Sequence, residues 1–278
     1  MALKVIQLGR SVQDAKAGRA PILVCVHGYM GGPDDFLNMI PAWEQQFCIL
    51  QPDFLAAFRT HGIIEITREG VGQLTYEDSA DQIADYLRRE FPGRKAYFFG
   101  VSFGGKILFD FAARHPELIE GGVITDIGLG TLSGSGLYEF LEVTLPSIRL
   151  DLEWPDLKAE LMAKIPEKNV RVLVQTQLYY PNKVPPAVWR PGIETLQSLV
   201  HETRIAEQWD VADRIHCKII VLQAESLSSV RADVAERMKG YRNFEMRLIP
   251  GSTHFLHITH VKPIQDAVIE MTLSGIKT

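Results

Sequence analysis

Gly100-Val101-Ser102-Phe103-Gly104 constrains the fold more than any other stretch, because this G-x-S-x-G pentapeptide lies directly between an apolar run and an amphipathic one. Lys95-Ala96-Tyr97-Phe98-Phe99 reads as a buried strand, and Gly105 to Arg114 sets Ile107, Leu108, Phe111 and Ala112 on one side of a helix. A serine on so sharp a strand-to-helix turn is held in a strained backbone conformation, so the residues two before and two after it must have almost no side chain. Gly100 and Gly104 supply that room. Ser102 is therefore a candidate nucleophile, and the chain around it is expected to alternate strand and helix.

That alternation recurs. Short runs rich in β-branched or aromatic residues appear at Ile22-Leu23-Val24-Cys25-Val26, Cys48-Ile49-Leu50, Tyr97-Phe98-Phe99, Val123-Ile124-Thr125 and Ile219-Ile220-Val221-Leu222. Helical patterns fill several of the gaps, which predicts an α/β protein with a mainly parallel sheet. Thr75-Tyr76-Glu77-Asp78 resembles a capping box, and Ala80, Ile83, Ala84 and Leu87 keep one apolar helical face as far as Phe91-Pro92-Gly93. Phe244 to Ile249 alternates as a strand, and Ile264, Ala267, Val268 and Met271 have the spacing of a closing helix. Between Leu129 and Asp213 the pattern changes: glycines 130, 134 and 136 lead into helical segments broken by prolines 146, 155, 166, 181, 185, 186 and 191. Phe140, Leu141, Trp154, Leu157, Leu161, Leu178, Trp189 and Leu196 are too much apolar surface for a disordered linker. The expected organisation is a core made of residues 1–128 and 214–278, carrying an inserted helical cap, or lid, over 129–213.

Charge and cysteine content narrow the function. Lys plus Arg number 29 against 34 Asp plus Glu, a formal net charge of −5, so nothing favours nucleic acid or an anionic membrane as a partner. Cys25, Cys48 and Cys217 are far apart, odd in number and without a C-x-x-C, as reduced core thiols would be. No stretch approaches the roughly 18 apolar residues of a membrane helix, and the segment from Met1 to Leu8 has no apolar core of a signal peptide. A cytoplasmic protein acting on a small molecule is expected.

A serine hydroxyl becomes a good nucleophile only when a base takes its proton. Among eight histidines, His254 has the right setting: it lies in Pro250-Gly251-Ser252-Thr253-His254-Phe255-Leu256-His257, between the last predicted strand and the last helix. A backbone oxyanion hole is readable in the amide of Phe103, which follows the nucleophile, and the amide of Tyr29 in His27-Gly28-Tyr29-Met30-Gly31-Gly32. The His27 side chain itself reads as structural. A phosphate-binding reading of this glycine-rich turn fails, because neither G-x-G-x-x-G nor G-x-x-x-x-G-K-S/T occurs.

Taken together, His27-Gly28-Tyr29-Met30-Gly31, Gly100 to Gly105 and Pro250 to His257 resemble the motifs of the α/β-hydrolase superfamily over nearly the whole chain. The resemblance implies an eight-stranded, mostly parallel sheet with a lid after the sixth strand, and neither a metal nor an organic cofactor. It also implies acyl chemistry by a serine, histidine and acid triad. One departure concerns the acid. The superfamily usually places an aspartate after the seventh strand, where this chain reads Leu222-Gln223-Ala224-Glu225-Ser226-Leu227-Ser228-Ser229, with Leu227 at the expected position and Glu225 two residues early. Asp126, at the end of Gly122-Val123-Ile124-Thr125-Asp126, is the stronger candidate, with Glu225 the alternative. This arrangement is similar to that of small bacterial esterases, active on short acyl esters and thioesters, that carry the acid after strand six. The implied activity is cleavage of a carboxylic ester or thioester by Ser102, His254 and Asp126. Two rivals remain open: carbon–carbon hydrolysis of a diketone-type substrate by the same triad, and a slow hydrolase fold serving as a small-ligand receptor.

Overall fold

The computed structural model describes residues 3–28, 31–54, 59–60, 63–64, 75–176, 178–179, 184–189 and 207–275. Seven strands form its main sheet: β1 (Lys4–Gly9), β2 (Ile22–Val26), β3 (Cys48–Asp53), β4 (Ala96–Val101), β5 (Ile119–Thr125), β6 (Lys218–Ala224) and β7 (Phe244–Ile249). Their order across the sheet is β1-β3-β2-β4-β5-β6-β7, and every pairing is parallel except that of β1 with β3. The expected strands are all present, several of them longer than the apolar runs that announced them. The edge strand β1 had no readable signal, because its residues are only partly buried and never alternate cleanly. The main sheet thus has seven strands among the described residues instead of eight, and the strand that ends before Asp126 is the fifth of that sheet in chain order.

The alternating side chains of β2 show why the core has two halves. Ile22, Val24 and Val26 join one buried cluster, while Leu23 and Cys25 join another on the opposite face. On the first face lie helices α1 (Tyr76–Glu90) and α2 (Phe103–Arg114); on the second lies α6 (Val261–Gly275) with Phe36, Met39 and Trp43. Each large apolar side chain removed from water contributes about 1.5–3 kcal/mol, which is why the strands read as unbroken apolar runs. Helix α1 begins as its sequence predicts: the Thr75 hydroxyl accepts the Asp78 N–H at 3.0 Å, with Glu77 and Asp78 in the first turn and Arg88 and Arg89 in the last.

Helix α2 differs from its expected amphipathic form. Its residues from Phe103 to Ala113 are all buried, including Lys106 and Asp110. The face that sequence would leave to solvent is covered by the segment inserted between β5 and β6. The described part of that insertion holds a short helix (Gly136–Glu139) running into a π-helical turn (Phe140–Thr144), then α3 (Trp154–Lys164), α4 (Lys168–Thr176) and a two-residue ribbon pairing Leu178–Tyr179 with Val188–Trp189. Phe140, Leu141, Leu157, Leu161 and Leu178 pack into the same cluster as α1 and α2, whereas Trp154 is 36% exposed; Leu196 lies outside the described residues. Pro155 does not break a helix but sits in the first turn of α3, where the missing N–H costs nothing. Helix α5 (Ala232–Lys239) joins β6 to β7.

The sheet order reverses between β2 and β4: from β2 the chain moves outward through β3, and from β4 it moves outward the other way. Loops leaving the carboxyl ends of two such strands diverge and leave a crevice. The register aligns these ends, with Val26 opposite Gly100, Val101 opposite Thr125, Thr125 opposite Leu222 and Ala224 opposite Ile249. His27, Ser102, Asp126, Glu225 and the loop to His254 therefore leave the sheet along one rim.

Candidate active site

Ser102 closes β4 and caps α2 with φ 49° and ψ −110°. Its N–H donates to the carbonyl of Thr125 at 3.1 Å, which fixes the turn against β5. Three non-glycine residues adopt positive φ among the described residues, and they are Ser102, Asp126 (43°) and Leu227 (47°). Such conformations cost of order 1–3 kcal/mol each and persist only where the surroundings over-determine them. The two glycines of the pentapeptide are needed for the reason the sequence suggests. A Cβ on Gly100 would stand 2.7 Å from the Gly104 carbonyl oxygen, and one on Gly104 would collide with the Val26 carbonyl. Gly105 is needed too, since a Cβ there would meet Ile124 and Ile127.

His254 is 7% exposed and reaches Ser102 by its Nε2, 3.0 Å from Oγ. Its Nδ1 stands 2.8 Å from Oδ2 of the fully buried Asp126. A carboxylate only accepts, so Nδ1 carries the proton and Nε2 is left to receive that of the serine. The loop before His254 is tied to the loop after β6: the Gly251 N–H donates to Oε2 of Glu225 at 2.9 Å, and the Ser226 N–H to the Ser252 carbonyl at 3.0 Å. Gly251, at φ 70°, is one place where the turn requires glycine. Of the two carboxylates open in the sequence, Asp126 bonds the histidine, while Glu225 bonds a backbone amide of the neighbouring turn.

Asp126 is gripped from several directions. Its Oδ1 accepts the Ala224 N–H at 2.8 Å and the Ser228 hydroxyl at 2.6 Å, and its Oδ2 accepts the Ser229 N–H at 2.9 Å beside the histidine. The Ser229 hydroxyl donates to the Asp126 backbone carbonyl, and the Asp126 N–H donates to the Leu222 carbonyl at 2.8 Å. Sequence reasoning missed Ser228 and Ser229. Serines in a turn are too common to single out, and only the side-by-side alignment of β5 and β6 brings them to Asp126.

Phe103 begins α2 directly after Ser102, as the sequence requires, and its ring packs on Tyr76 at 5.1 Å between centroids. Tyr29 lies outside the described residues, but its neighbour Gly28 does not: a Cβ there would be 3.9 Å from that of Ser102. His27 is buried, with Nδ1 donating to the Gly28 carbonyl at 2.7 Å and Nε2 accepting the Phe54 N–H at 3.3 Å, so its ring buttresses the turn that approaches the serine. Asp53 lies beside it, Oδ1 3.9 Å from Nε2. Three residues past His254, His257 is held far below the ordinary histidine range, at about 3, by burial and by the nearby His254.

The sequence profile of the alpha/beta hydrolase fold matches residues 21–261, and the chain belongs to that family. Among curated proteins, a mouse (Mus musculus) serine hydrolase-like protein is 26% identical over 106 residues, covering 38% of this chain and 32% of that protein. The match thus spans about a third of the length of its relative. Among solved structures, a marine microorganism esterase superposes with a TM-score of 0.69 at 16% identity, covering 98% of this chain and 99% of that one. The thioesterase domain from the curacin biosynthetic pathway superposes with a TM-score of 0.60 at 15% identity, covering 96% and 95%. At such identities the likeness establishes the fold.

Proposed function

We propose that the protein is a serine hydrolase that cleaves a carboxylic ester or thioester of a small acyl group through an acyl-enzyme on Ser102. The observation that carries this reading is the unbroken chain from Ser102 Oγ through His254 to Asp126, at 3.0 and 2.8 Å. In the first half-reaction His254 takes the Ser102 proton through Nε2 while Oγ attacks the substrate carbonyl; His254 then gives that proton to the departing alcohol or thiol. In the second half-reaction the same imidazole activates water, and the acyl group leaves as the carboxylic acid. Asp126 holds the tautomer and stabilises the transient imidazolium. The amides of Phe103 and Tyr29 are assigned to the developing oxyanion, a task in which one donor is worth about 2.7–4 kcal/mol.

The receptor alternative requires a defective triad or a stalled deacylation, and the hydrogen-bonded geometry argues against the first of these. Esterase and thioesterase among the structural neighbours fit the proposed chemistry. We assign residues 129–213 to a cap that restricts the acyl group, on the strength of the apolar side chains by which the described part of this segment packs over α2. Among the described residues no helix is long and apolar enough to cross a membrane. Cys25, Cys48 and Cys217 are unpaired, which fits the proposed cytoplasmic location. A serine-directed fluorophosphonate tests the reading, with expected labelling once, at Ser102. Turnover across p-nitrophenyl esters and acyl-CoA thioesters of graded length then identifies the leaving group and the acyl length; labelling at another serine would overturn the assignment.

A further inference from the structure

The loop that follows β6 carries no carboxylate bonded to His254, yet it sends three donors to the residue that has one. Ser228 Oγ and the Ser229 N–H each bind one carboxylate oxygen of Asp126, and the Ser229 hydroxyl binds its backbone carbonyl. The Ser228 hydroxyl is itself oriented. It accepts the Val230 N–H at 3.0 Å, and of its two possible acceptors Asp126 Oδ1 at 2.6 Å is much closer than the Val230 carbonyl at 3.3 Å. A hydroxyl has a single proton, so the close, charge-assisted bond to the carboxylate takes it.

The two oxygens of Asp126 then have unequal tasks. Ala224 and Ser228 occupy Oδ1, which leaves Oδ2, steadied by Ser229, in line with His254 Nδ1. Without Ser228, rotation about the Cβ–Cγ bond would meet less resistance, and the bond that sets the histidine tautomer would lose its fixed direction. We infer that Ser228 is a positioning residue of the proposed triad, acting through Asp126 to aim Oδ2 at His254. The inference rests on the serine-hydrolase reading above. It gives the loop after β6 a purpose: that loop supplies donors to an acid carried by the strand beside it.

The test compares four variants on one activated ester, each checked for folding by circular dichroism. Ser228→Ala should lower kcat about tenfold with KM unchanged, the worth of one hydrogen bond to a charged group, and should slow fluorophosphonate labelling to the same degree. Ser228→Thr, which keeps the hydroxyl, should recover most of the loss. If Ser228→Ala does not fold, Ser228→Cys decides, because a thiol of similar size is a weak donor and should show the same fall in kcat. A parental kcat in whichever of these two variants folds, or a loss that Thr does not recover, overturns the inference. Ser102→Ala keeps the two claims apart. If that variant still turns over, the serine-hydrolase reading itself fails; if it is dead while the folded Ser228 variant is parental, only the positioning claim falls.

Discussion

Asp126 and Asp110 are both nearly inaccessible to solvent, but their surroundings differ. Asp126 stands at the end of a strand, on the rim where three loops begin, and its carboxylate meets two backbone amides, a hydroxyl and an imidazole. Asp110 sits within α2, where neighbouring backbone N–H groups are spent inside the helix, and it receives the side-chain amide of Gln208 at 2.6 Å. Burial, assisted by the negative charge of Glu77, pushes Asp110 up to about 6. Lys106, one turn earlier, is pushed down to about 7 by burial, against the opposing pull of Asp110 and Glu207. The comparison shows that a strand end at a sheet rim satisfies a buried carboxylate from several sides, whereas a helix interior leaves it dependent on what packs across it.

What packs across α2 is the root of the inserted segment. Lys106 donates to the Gly130 carbonyl at 3.0 Å, where the insertion begins, and Gln208, near its end, donates to both Asp110 and the Lys106 carbonyl. The Gln208 N–H also reaches back to the Leu129 carbonyl at 2.8 Å. The first polar group serves the proposed chemistry and the second holds the insertion to the core, so substitutions should separate them.

The largest effect is expected at the nucleophile: Ser102→Ala should reduce kcat by about 10⁶-fold in a folded protein, measured as ester turnover. Next, Asp126→Asn keeps the shape but offers His254 an amide, which favours the wrong tautomer and should lower kcat about 10⁴-fold. Asp110→Asn should leave kcat close to parental, since Asp110 has no part in the serine–histidine chain. If the two asparagine variants lost activity alike, the distinction between the two carboxylates would be wrong.

The stability of Asp110→Asn sharpens the same contrast. Folding raises this group from its ordinary 3.8 to about 6, so between those values the folded chain holds a proton that the unfolded chain has released. Its contribution to stability is complete below about 4 and is lost as pH rises to about 6. Whatever its offset, the variant should therefore gain stability relative to the parent across pH 4 to 6, by on the order of 2 kcal/mol, then change no further with this group. Denaturant unfolding at several pH values measures it; a constant difference would show that burial does not set the state of Asp110. The smallest effect belongs to Glu225→Gln. The amide retains an oxygen for the Gly251 N–H, so kcat should stay near parental, and a dead Glu225→Gln beside an active Asp126→Asn would move the acid to the loop after β6.

The sequence by itself determined the strand-to-helix turn at Ser102, the succession of strands from β2 to β7, and the family resemblance, because these rest on local facts: glycines where a Cβ collides, apolar runs at strand length, and a hydroxyl at a helix start. It also narrowed the acid to two residues. The tertiary structure decided between their hydrogen-bond partners, since which carboxylate meets His254 depends on β5 and β6 lying side by side in register. It decided the state of α2 as well. Lys106 and Asp110 have the spacing of a solvated face, and only the insertion folding back over that face buries them. Ser228 and Ser229 were illegible for the same reason: their partner is about a hundred residues away in the chain, and a hydrogen bond of that span leaves no pattern in the local sequence.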